Sequence, residues 1–166
     1  MKIILFLAVF LAATISHSQT NVYSKKFGKL EFVKLDHGIA QVVTAATEKM
    51  ENSPTGDRGW LNNFVIAEVT DSIPAILKTS FGVVYTMKSD TKMDIDVDIE
   101  WVYPKKITNE KNQSFKSIRY TTNRPTNEIT ASSYSLDEDY ELVTGKWTMN
   151  IYIGKKEVYT KSFIVY

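Results

Sequence analysis

Apolar and acidic residues alternate without interruption over residues 93–101, where every odd position is apolar and every even position is acidic. A strand sends successive side chains to opposite faces, so this period of two predicts a β-strand with one apolar and one acidic face. We expect the apolar side chains to enter a core. We expect the carboxylates to lie in solvent, paired with Lys or Arg on a neighbouring strand. The acidic face consists of Asp94, Asp96, Asp98 and Glu100.

A similar alternation occurs one segment earlier, at residues 81–87. The sequence Ser89-Asp90-Thr91-Lys92 lies between the two segments and has the composition of a turn. The two segments are therefore predicted to form a β-hairpin.

Other segments rich in Val, Ile, Tyr, Phe and Thr predict strands at residues 30–36, 39–45, 63–70, 115–122, 147–153 and 158–165. Tight turns are expected at residues 36–38 and 154–156, longer loops at 51–60 and 104–114, and a break at 123–127. Residues 44–51 are the one candidate helix. Val158 and Phe163 would face opposite sides of a regular strand, which predicts a bulge or burial on both faces.

Short strands at this spacing, with turn signals between them, are typical of an all-β fold. We therefore predict an antiparallel β-sandwich of the immunoglobulin-like type, formed as a single domain by residues 19–166.

The first 18 residues have the features of an export signal. Lys2 provides the positively charged n-region of a signal peptide. Residues 3–15 form an uncharged, mostly apolar run that is shorter than the ~20 residues of a membrane-spanning helix. Ser16 and Ser18 are small residues that precede a cut before Gln19. The sequence predicts a domain that is exported to the periplasm or secreted, with no membrane span after signal cleavage.

Composition argues against several function classes. The chain has 20 Lys and Arg against 19 Asp and Glu, so it lacks the basic excess typical of nucleic-acid binding. It has no Cys, and after residue 18 its one His is His37. Cys nucleophiles, Cys-based zinc sites and multi-His metal sites are therefore excluded within one chain. A Ser-His-Asp triad would need His37, which we expect in a turn. We predict that the domain is not an enzyme.

Several segments of the chain resemble a bacterial family known only as domain of unknown function family 3859. The specific segment is Glu141-Leu142-Val143-Thr144-Gly145-Lys146-Trp147-Thr148, and shorter matches occur at residues 36–39, 73–75, 81–82, 101–104, 134–140 and 162–165. The resemblance implies a small exported or periplasmic β-domain. It implies no activity, so no catalytic residue is carried over. The chain departs from the family pattern at Ala40, where an aromatic residue is expected.

A cluster of carboxylates precedes the predicted strand 147–153. Such a corner can fold its carboxylates around a hard cation, so Asp137, Asp139 and Glu141 are candidate calcium ligands. The alternative is a solvated turn in which Asp137 or Asp139 caps backbone amides. No cofactor other than Ca²⁺ is suggested by the sequence.

Aromatic residues supply the last candidates. Trp101 and Trp147 lie in phase with apolar neighbours and are predicted to be core residues. Trp60 lies outside any clean alternation, and it and Tyr140 are the candidate binding residues. We predict a binding or accessory module of the cell envelope that acts on a protein partner. The alternative is a carbohydrate-binding module that uses exposed aromatic side chains, with an envelope polysaccharide as its ligand.

Overall fold

The computed structural model describes residues 19–24 and 28–166. These residues contain ten strands and one short helix, joined by turns and loops. The predicted signal peptide, residues 1–18, lies outside them. The elements are β1 (Gln19–Ser24), β2 (Gly28–Lys49), β3 (Asp57–Glu68), β4 (Ser72–Ile73), β5 (Ser80–Ser89), β6 (Asp94–Thr108), β7 (Ser114–Pro125), β8 (Ile129–Ser135), a 3-10 helix (Asp139–Glu141), β9 (Gly145–Ile153) and β10 (Lys156–Val165).

The strands form two five-stranded sheets. In the first sheet the order is β1-β2-β5-β8, and β3 pairs with the C-terminal part of β2; in the second sheet the order is β4-β10-β9-β6-β7. Neighbouring strands are antiparallel except for the short parallel pair of β4 and β10. The inner faces of both sheets contribute to one hydrophobic core. The prediction of an all-β, antiparallel, immunoglobulin-like sandwich is confirmed.

Aromatic rings join the two sheets at the centre of the core. Phe81 of β5 makes edge-to-face contacts with Trp101, Trp147 and Phe163 of the opposite sheet, at centroid distances of 5.4, 5.9 and 5.1 Å. All four side chains are fully buried. The placement of Trp101 and Trp147 in the core is confirmed, and such edge-to-face pairs add to the free energy gained from burial alone.

Strand β6 has the two faces that its alternation predicts. Ile95, Val97, Ile99 and Trp101 are buried, whereas the intervening carboxylates are exposed or half-buried. On the outer face Asp98 accepts a hydrogen bond from Arg119 of β7 at 2.9 Å, and Asp96 accepts one from Asn123 at 3.2 Å. The cross-strand pairing of these carboxylates is confirmed for Asp98 and Arg119.

The predicted hairpin of residues 81–87 with 93–101 is wrong. β5 lies in the first sheet and β6 in the second, so residues 90–93 connect the two sheets. Turn 126–128 holds this connection: Asn127 exchanges two hydrogen bonds with the Ser89 backbone, and the Met93 amide donates to the Thr126 hydroxyl at 2.9 Å. A period of two defines a strand's faces but not its partner.

The predicted turn at residues 36–38 and the helix at 44–51 are also wrong, because β2 runs through both as one 22-residue strand. A bulge between Lys34 and Asp36 and the positive φ of Gly38 (140°) bend the strand without reversing it. Beyond Gly38, pairing with β3 keeps residues 44–49 extended. Local helical preference is weak there, and tertiary pairing overrides it.

Strands also differ from the prediction elsewhere. The predicted strands do not include β1, β4 or β8; β3 begins inside the expected loop 51–60, and β6 continues into the expected loop 104–114 as far as Thr108. The terminal hairpin of β9 and β10 and its turn at Gly154 agree with the prediction. The expected bulge is confirmed: the register shifts between Glu157 and Tyr159, which leaves both Val158 and Phe163 buried.

In the part of the chain that the structure describes, no helix has the length and hydropathy needed to span a membrane.

Candidate binding site at the β2–β3 arm

The feature that departs most from a plain sandwich is the long hairpin formed by β2 and β3. We call residues 41–68 the arm: they comprise the C-terminal part of β2, a tip at residues 50–56 and all of β3. β5 pairs with β2 only as far as Ala40. From Gln41 onward, β3 is the only described strand that pairs with β2. Many of its side chains are exposed, among them Val43 (53%) and Val65 (50%).

The tip of the arm is fixed to the loop between β6 and β7 and to the 3-10 helix. The Pro54 carbonyl accepts hydrogen bonds from the Asn109 side chain at 3.1 Å and from the Tyr140 hydroxyl at 3.4 Å. Ser53 and Pro54 are buried there, and the Ser53 hydroxyl donates to the Met50 carbonyl at 2.9 Å. The arm therefore starts in the first sheet, and its tip ends against the loop that joins β6 and β7 of the second.

Arg58 connects the arm to β7. Its guanidinium pairs with Glu48 across the hairpin at 2.6 Å and donates to the Thr121 carbonyl at 3.3 Å. The same group lies 4.5 Å from the Trp60 ring centre and 4.8 Å from that of Tyr120. A guanidinium stacked on aromatic rings gains both dispersion and electrostatic attraction. Arg58 thereby holds one end of the arm against the body of the domain.

Trp60 and Tyr140, the two predicted binding residues, lie in different places. Trp60 belongs to β3, its indole N–H donates to Glu48 at 3.0 Å, and it borders a cavity beneath the arm. Tyr140 belongs to the 3-10 helix and borders a separate polar groove with Asn109 and Gln113. Burial raises the pKa of Tyr140 to about 12, so its hydroxyl stays protonated at neutral pH. The two aromatic side chains do not line a common surface.

The cavity beneath the arm is open to solvent on one side and has a volume of about 140 Å³. Its roof includes Arg58 and Trp60 of the arm, and its floor comes from β7, β8 and Trp101. The inner face of β7 changes from apolar to polar along the strand, in the order Ile118, Tyr120, Thr122, Arg124. Burial raises the pKa of Tyr120 to about 12, against the opposing effect of the nearby guanidinium groups.

The acidic corner holds one buried carboxylate. Glu141 is 1% exposed and accepts hydrogen bonds from the Tyr134 hydroxyl at 2.6 Å and from the amides of Asp137 and Glu138 at 2.9 and 3.1 Å. Burial is the main reason that the pKa of Glu141 is raised. These bonds order the corner as a capped 3-10 turn, with the Glu141 side chain as the acceptor.

The three predicted calcium ligands have different surroundings. Asp137 pairs with Lys78 at 3.1 Å, Asp139 lies on the surface, and Glu141 faces the interior. Within residues 19–24 and 28–166, no group of three or more Asp, Glu or His side chains is placed to hold a metal ion. Calcium binding at this corner stays a prediction.

His37 is not in a turn, as expected, but within β2. Its Nε2 lies 2.8 Å from the Asp71 carboxylate, which also pairs with Lys161 at 2.5 Å. Burial, followed by the charges of Lys161 and Lys34, lowers the pKa of His37 below its usual value of 6.5. The imidazole is therefore neutral at pH 7, and Asp71 is shared between it and an ammonium group.

Sequence reasoning missed Arg58 and Arg124. Side chains alternate between the two faces of a strand, and Arg124 follows Ile118 by an even number of residues. Both side chains therefore lie on the inner face of β7. The break expected at residues 123–127 separated Arg124 from this strand, whereas β7 runs to Pro125. A charged residue on a buried face indicates function more often than an exposed one does. Arg58 had no comparable signal in the sequence, because a residue in the expected loop 51–60 has no strand phase and no predicted pairing partner.

Comparison with known proteins gives a family and a fold. A family model described as Domain of unknown function (DUF3859) matches residues 30–165. The chain is also similar to the crystal structure of an immunoglobulin-like protein (PA1606) from Pseudomonas aeruginosa, with a TM-score of 0.58 and 19% identity. That match covers 79% of this chain and 90% of the other. No curated protein matches the chain.

Proposed function

The chain belongs to the family Domain of unknown function (DUF3859), and we propose that it is an exported, non-catalytic domain that binds a protein partner through its arm. An extended segment of the partner pairs with the outer edge of β3, with apolar side chains at alternate positions. This mode, strand addition, uses backbone hydrogen bonds for affinity and side-chain pockets for specificity.

The observation that carries the proposal is the uncharged free edge of β3. In the described part of the chain β3 pairs only with β2, so its other edge has unpaired N–H and C=O groups. Residues 59–67 and the facing residues 41–47 contain no charge and no Pro. Soluble proteins normally protect an exposed edge with charged residues, Pro or a cover. An edge without them is suited to pairing with another chain.

Apolar side chains beside this edge support the same conclusion. Val43 and Val65 are about half exposed on the arm, and their neighbours Gln41 and Asn63 are uncharged. A partner strand would cover this surface and remove apolar area from water.

The absence of a recognisable catalytic group supports a binding role. After residue 18 the chain has one His and no Cys. The Nε2 of His37 pairs with Asp71, and its Nδ1 is buried and makes no hydrogen bond among the described residues. This imidazole therefore holds no serine hydroxyl, as the base of a Ser-His-Asp site does.

Site-specific photo-crosslinking tests the proposal in the native organism. A benzophenone amino acid at Val65 should capture one protein, whereas the same probe at Ile129 should not. Ile129 is the matched control, because it is an apolar strand residue that is 74% exposed on β8, outside the arm. The captured protein is then purified and its affinity measured with the wild type, Val65→Lys and Ile129→Lys.

We expect Val65→Lys to weaken binding at least about tenfold, since a charge on the covered face loses the apolar contact. Ile129→Lys should bind as the wild type does. Equal capture at both positions, or capture of a second copy of this chain alone, would contradict the proposal. Loss of binding in Ile129→Lys as well would place the contact elsewhere on the domain.

Export is tested separately, by the mass of the protein recovered from the cell envelope or the medium. The apolar run before Ser16 and Ser18 supports a cut before Gln19. A protein that begins at Gln19 is the expected species. Recovery of a cytoplasmic protein that retains Met1 would refute export and leave the binding proposal standing.

A further inference from the structure

Three residues that line the cavity beneath the arm have a polar atom that no protein group satisfies. Among the described residues, the indole Nε1 of Trp101, the hydroxyl of Thr122 and the Nε of Arg124 are buried and make no hydrogen bond. All three residues line this one cavity. Trp101 is 0% exposed and Thr122 is 4% exposed, so water outside the domain does not reach them freely. Buried polar groups almost always have partners, so three exceptions around one space require a cause.

The three atoms have the same chemistry, because each can donate a hydrogen bond. Indole Nε1 and guanidinium Nε are donors only, and a hydroxyl donates as well as accepts. The Tyr120 hydroxyl lies near Trp101 without completing a hydrogen bond to it. A group that satisfied all three atoms would have to supply acceptors.

Charge points to the same kind of ligand. The other charged side chains that line the cavity have partners: Arg58 pairs with Glu48, Asp57 with Lys49, Asp137 with Lys78, and Glu141 accepts from Tyr134 and two amides. Arg124 takes part in no ion pair among the described residues; it donates to the Ala131 carbonyl at 3.4 Å and lies near the Tyr85 hydroxyl. A half-buried guanidinium without a counter-ion is unfavourable, and an anion would remove that cost.

We propose that this cavity is a binding site for a small organic carboxylate. The planar guanidinium of Arg124 matches a carboxylate in shape and charge. Thr122 and Trp101 supply further donors, and the rings of Trp101 and Tyr120 supply apolar walls. A single free cation suits a monoanion, and the three carboxylates of the lining disfavour a dianion such as phosphate. The volume of about 140 Å³ is close to that of a cavity that holds benzene, about 150 Å³.

The site is independent of strand addition at β3, since it lies on the inner side of the arm. Its occupant would nevertheless stabilise the arm against the body, because Arg58 and Trp60 form part of the cavity wall.

Titration of the ¹⁵N-labelled protein with acetate, propionate and benzoate tests the site directly. The neutral amides of these acids are the matched control ligands, and inorganic phosphate tests for a general anion site. The chain has three Trp, so three indole N–H signals report on three places, and Trp→Phe variants assign them. We expect a carboxylate to shift the Trp101 signal saturably. The chemical shift of the Trp147 indole signal should not change, because that N–H already donates to the Val143 carbonyl at 2.7 Å.

Two variants on one strand separate a ligand site from a structural role. Arg124→Met removes the free cation, and Arg119→Met removes a cation of β7 that is already paired with Asp98 on the outer face. We expect Arg124→Met to weaken carboxylate binding by about tenfold or more and to leave the urea midpoint unchanged or raised. Arg119→Met should bind as the wild type does. Thr122→Val should weaken binding severalfold with little change in shape.

Three results would overturn the proposal. The first is the absence of a saturable shift of the Trp101 signal with any of the three acids. The second is equal affinity for acids and amides, or for phosphate. The third is a large fall in the urea midpoint of Arg124→Met together with unchanged binding in Thr122→Val, which would assign these residues to the core alone.

Discussion

Trp147 and Trp60 illustrate how differently the body of the domain and its arm are held in place. Trp147 is fully buried, contacts aromatic rings from both sheets and donates to the Val143 carbonyl. Trp60 is 37% exposed, and its hydrogen-bond acceptor and its cation, Glu48 and Arg58, both belong to its own hairpin. The body is therefore fixed by contacts between distant parts of the chain. The arm depends on a few neighbours and on its tip, which leaves it free to adjust to a partner.

The largest expected difference between the two regions is in stability. Trp147→Ala should lower the free energy of unfolding by about 3–5 kcal/mol, because it leaves a large cavity in the aromatic core. Trp60→Ala should cost about 1 kcal/mol or less, since the ring is partly exposed and has few partners. Urea denaturation of both variants measures this. Equal midpoints for the two would remove the distinction between body and arm.

The base of the arm gives the next test of the distinction between the body and the arm. A β-carbon at Gly38 would overlap the carbonyl oxygen of Glu68, at the end of β3, and the φ of Gly38 is 140°. Gly38→Ala should therefore cost more than about 1 kcal/mol and detach β3 from β2 near this point. Gly56→Ala is the control, because Gly56 also has a positive φ, 78°, but has open space around it.

If Gly38→Ala and Gly56→Ala cost the same, backbone strain alone would explain both, and the close approach of β3 would have no effect of its own. Urea midpoints give the cost, and amide exchange shows whether β3 is the strand that loosens.

Arg58 tests the contact between the arm and β7. Arg58→Ala should lower the local stability of the arm by about 1 kcal/mol, through loss of the stacking on Trp60 and Tyr120 and of the pair with Glu48. Hydrogen exchange should become faster over residues 41–68 with little change elsewhere. Arg119→Ala is the matched control, since Arg119 also stacks on a ring, that of Tyr152, and pairs with a carboxylate. A global change in exchange in Arg58→Ala would contradict a local role.

The smallest expected effect is a pH dependence that arises at His37, in the body. Its pKa is lowered in the folded state, so below about pH 6.5 the unfolded chain binds a proton that the folded chain does not. His37 should therefore favour unfolding as the pH falls from 7 to 5.5. Urea midpoints of the wild type and His37→Gln over this range measure it. The difference between the two proteins should change with pH in this direction; a constant difference would contradict it.

Much of the body could be predicted from the sequence, and much of the arm could not. In strand β6 apolar and polar residues alternate strictly, because one face packs in the core and the other faces solvent. This alternation can be recognised from the sequence alone. The arm has no core on either side for much of its length, so its residues carry no such pattern. The prediction accordingly placed a helix at residues 44–51 and a loop at 51–60.

The candidate site was hard to predict for a related reason. The cavity is formed where the arm returns to the opposite sheet, and it depends on contacts such as that of Arg58 with Thr121, far apart in sequence. A short window of sequence contains only one side of it. Arg124 shares the phase of Ile118 because β7 runs to Pro125, but the break expected at residues 123–127 placed it outside the strand.

The separation of β5 and β6 into different sheets has a consequence for the rate at which the chain folds. Strand β5 pairs with β2 and β8, and β6 pairs with β9 as well as with its neighbour β7. Of the eight strand pairs in the described part of the chain, four therefore join strands that are not neighbours in sequence. A fold with such a high contact order closes long loops before its contacts form, and sandwiches of this kind fold in roughly milliseconds to seconds. During that interval the uncharged outer edge of β3, residues 59–67, is open to association with other chains.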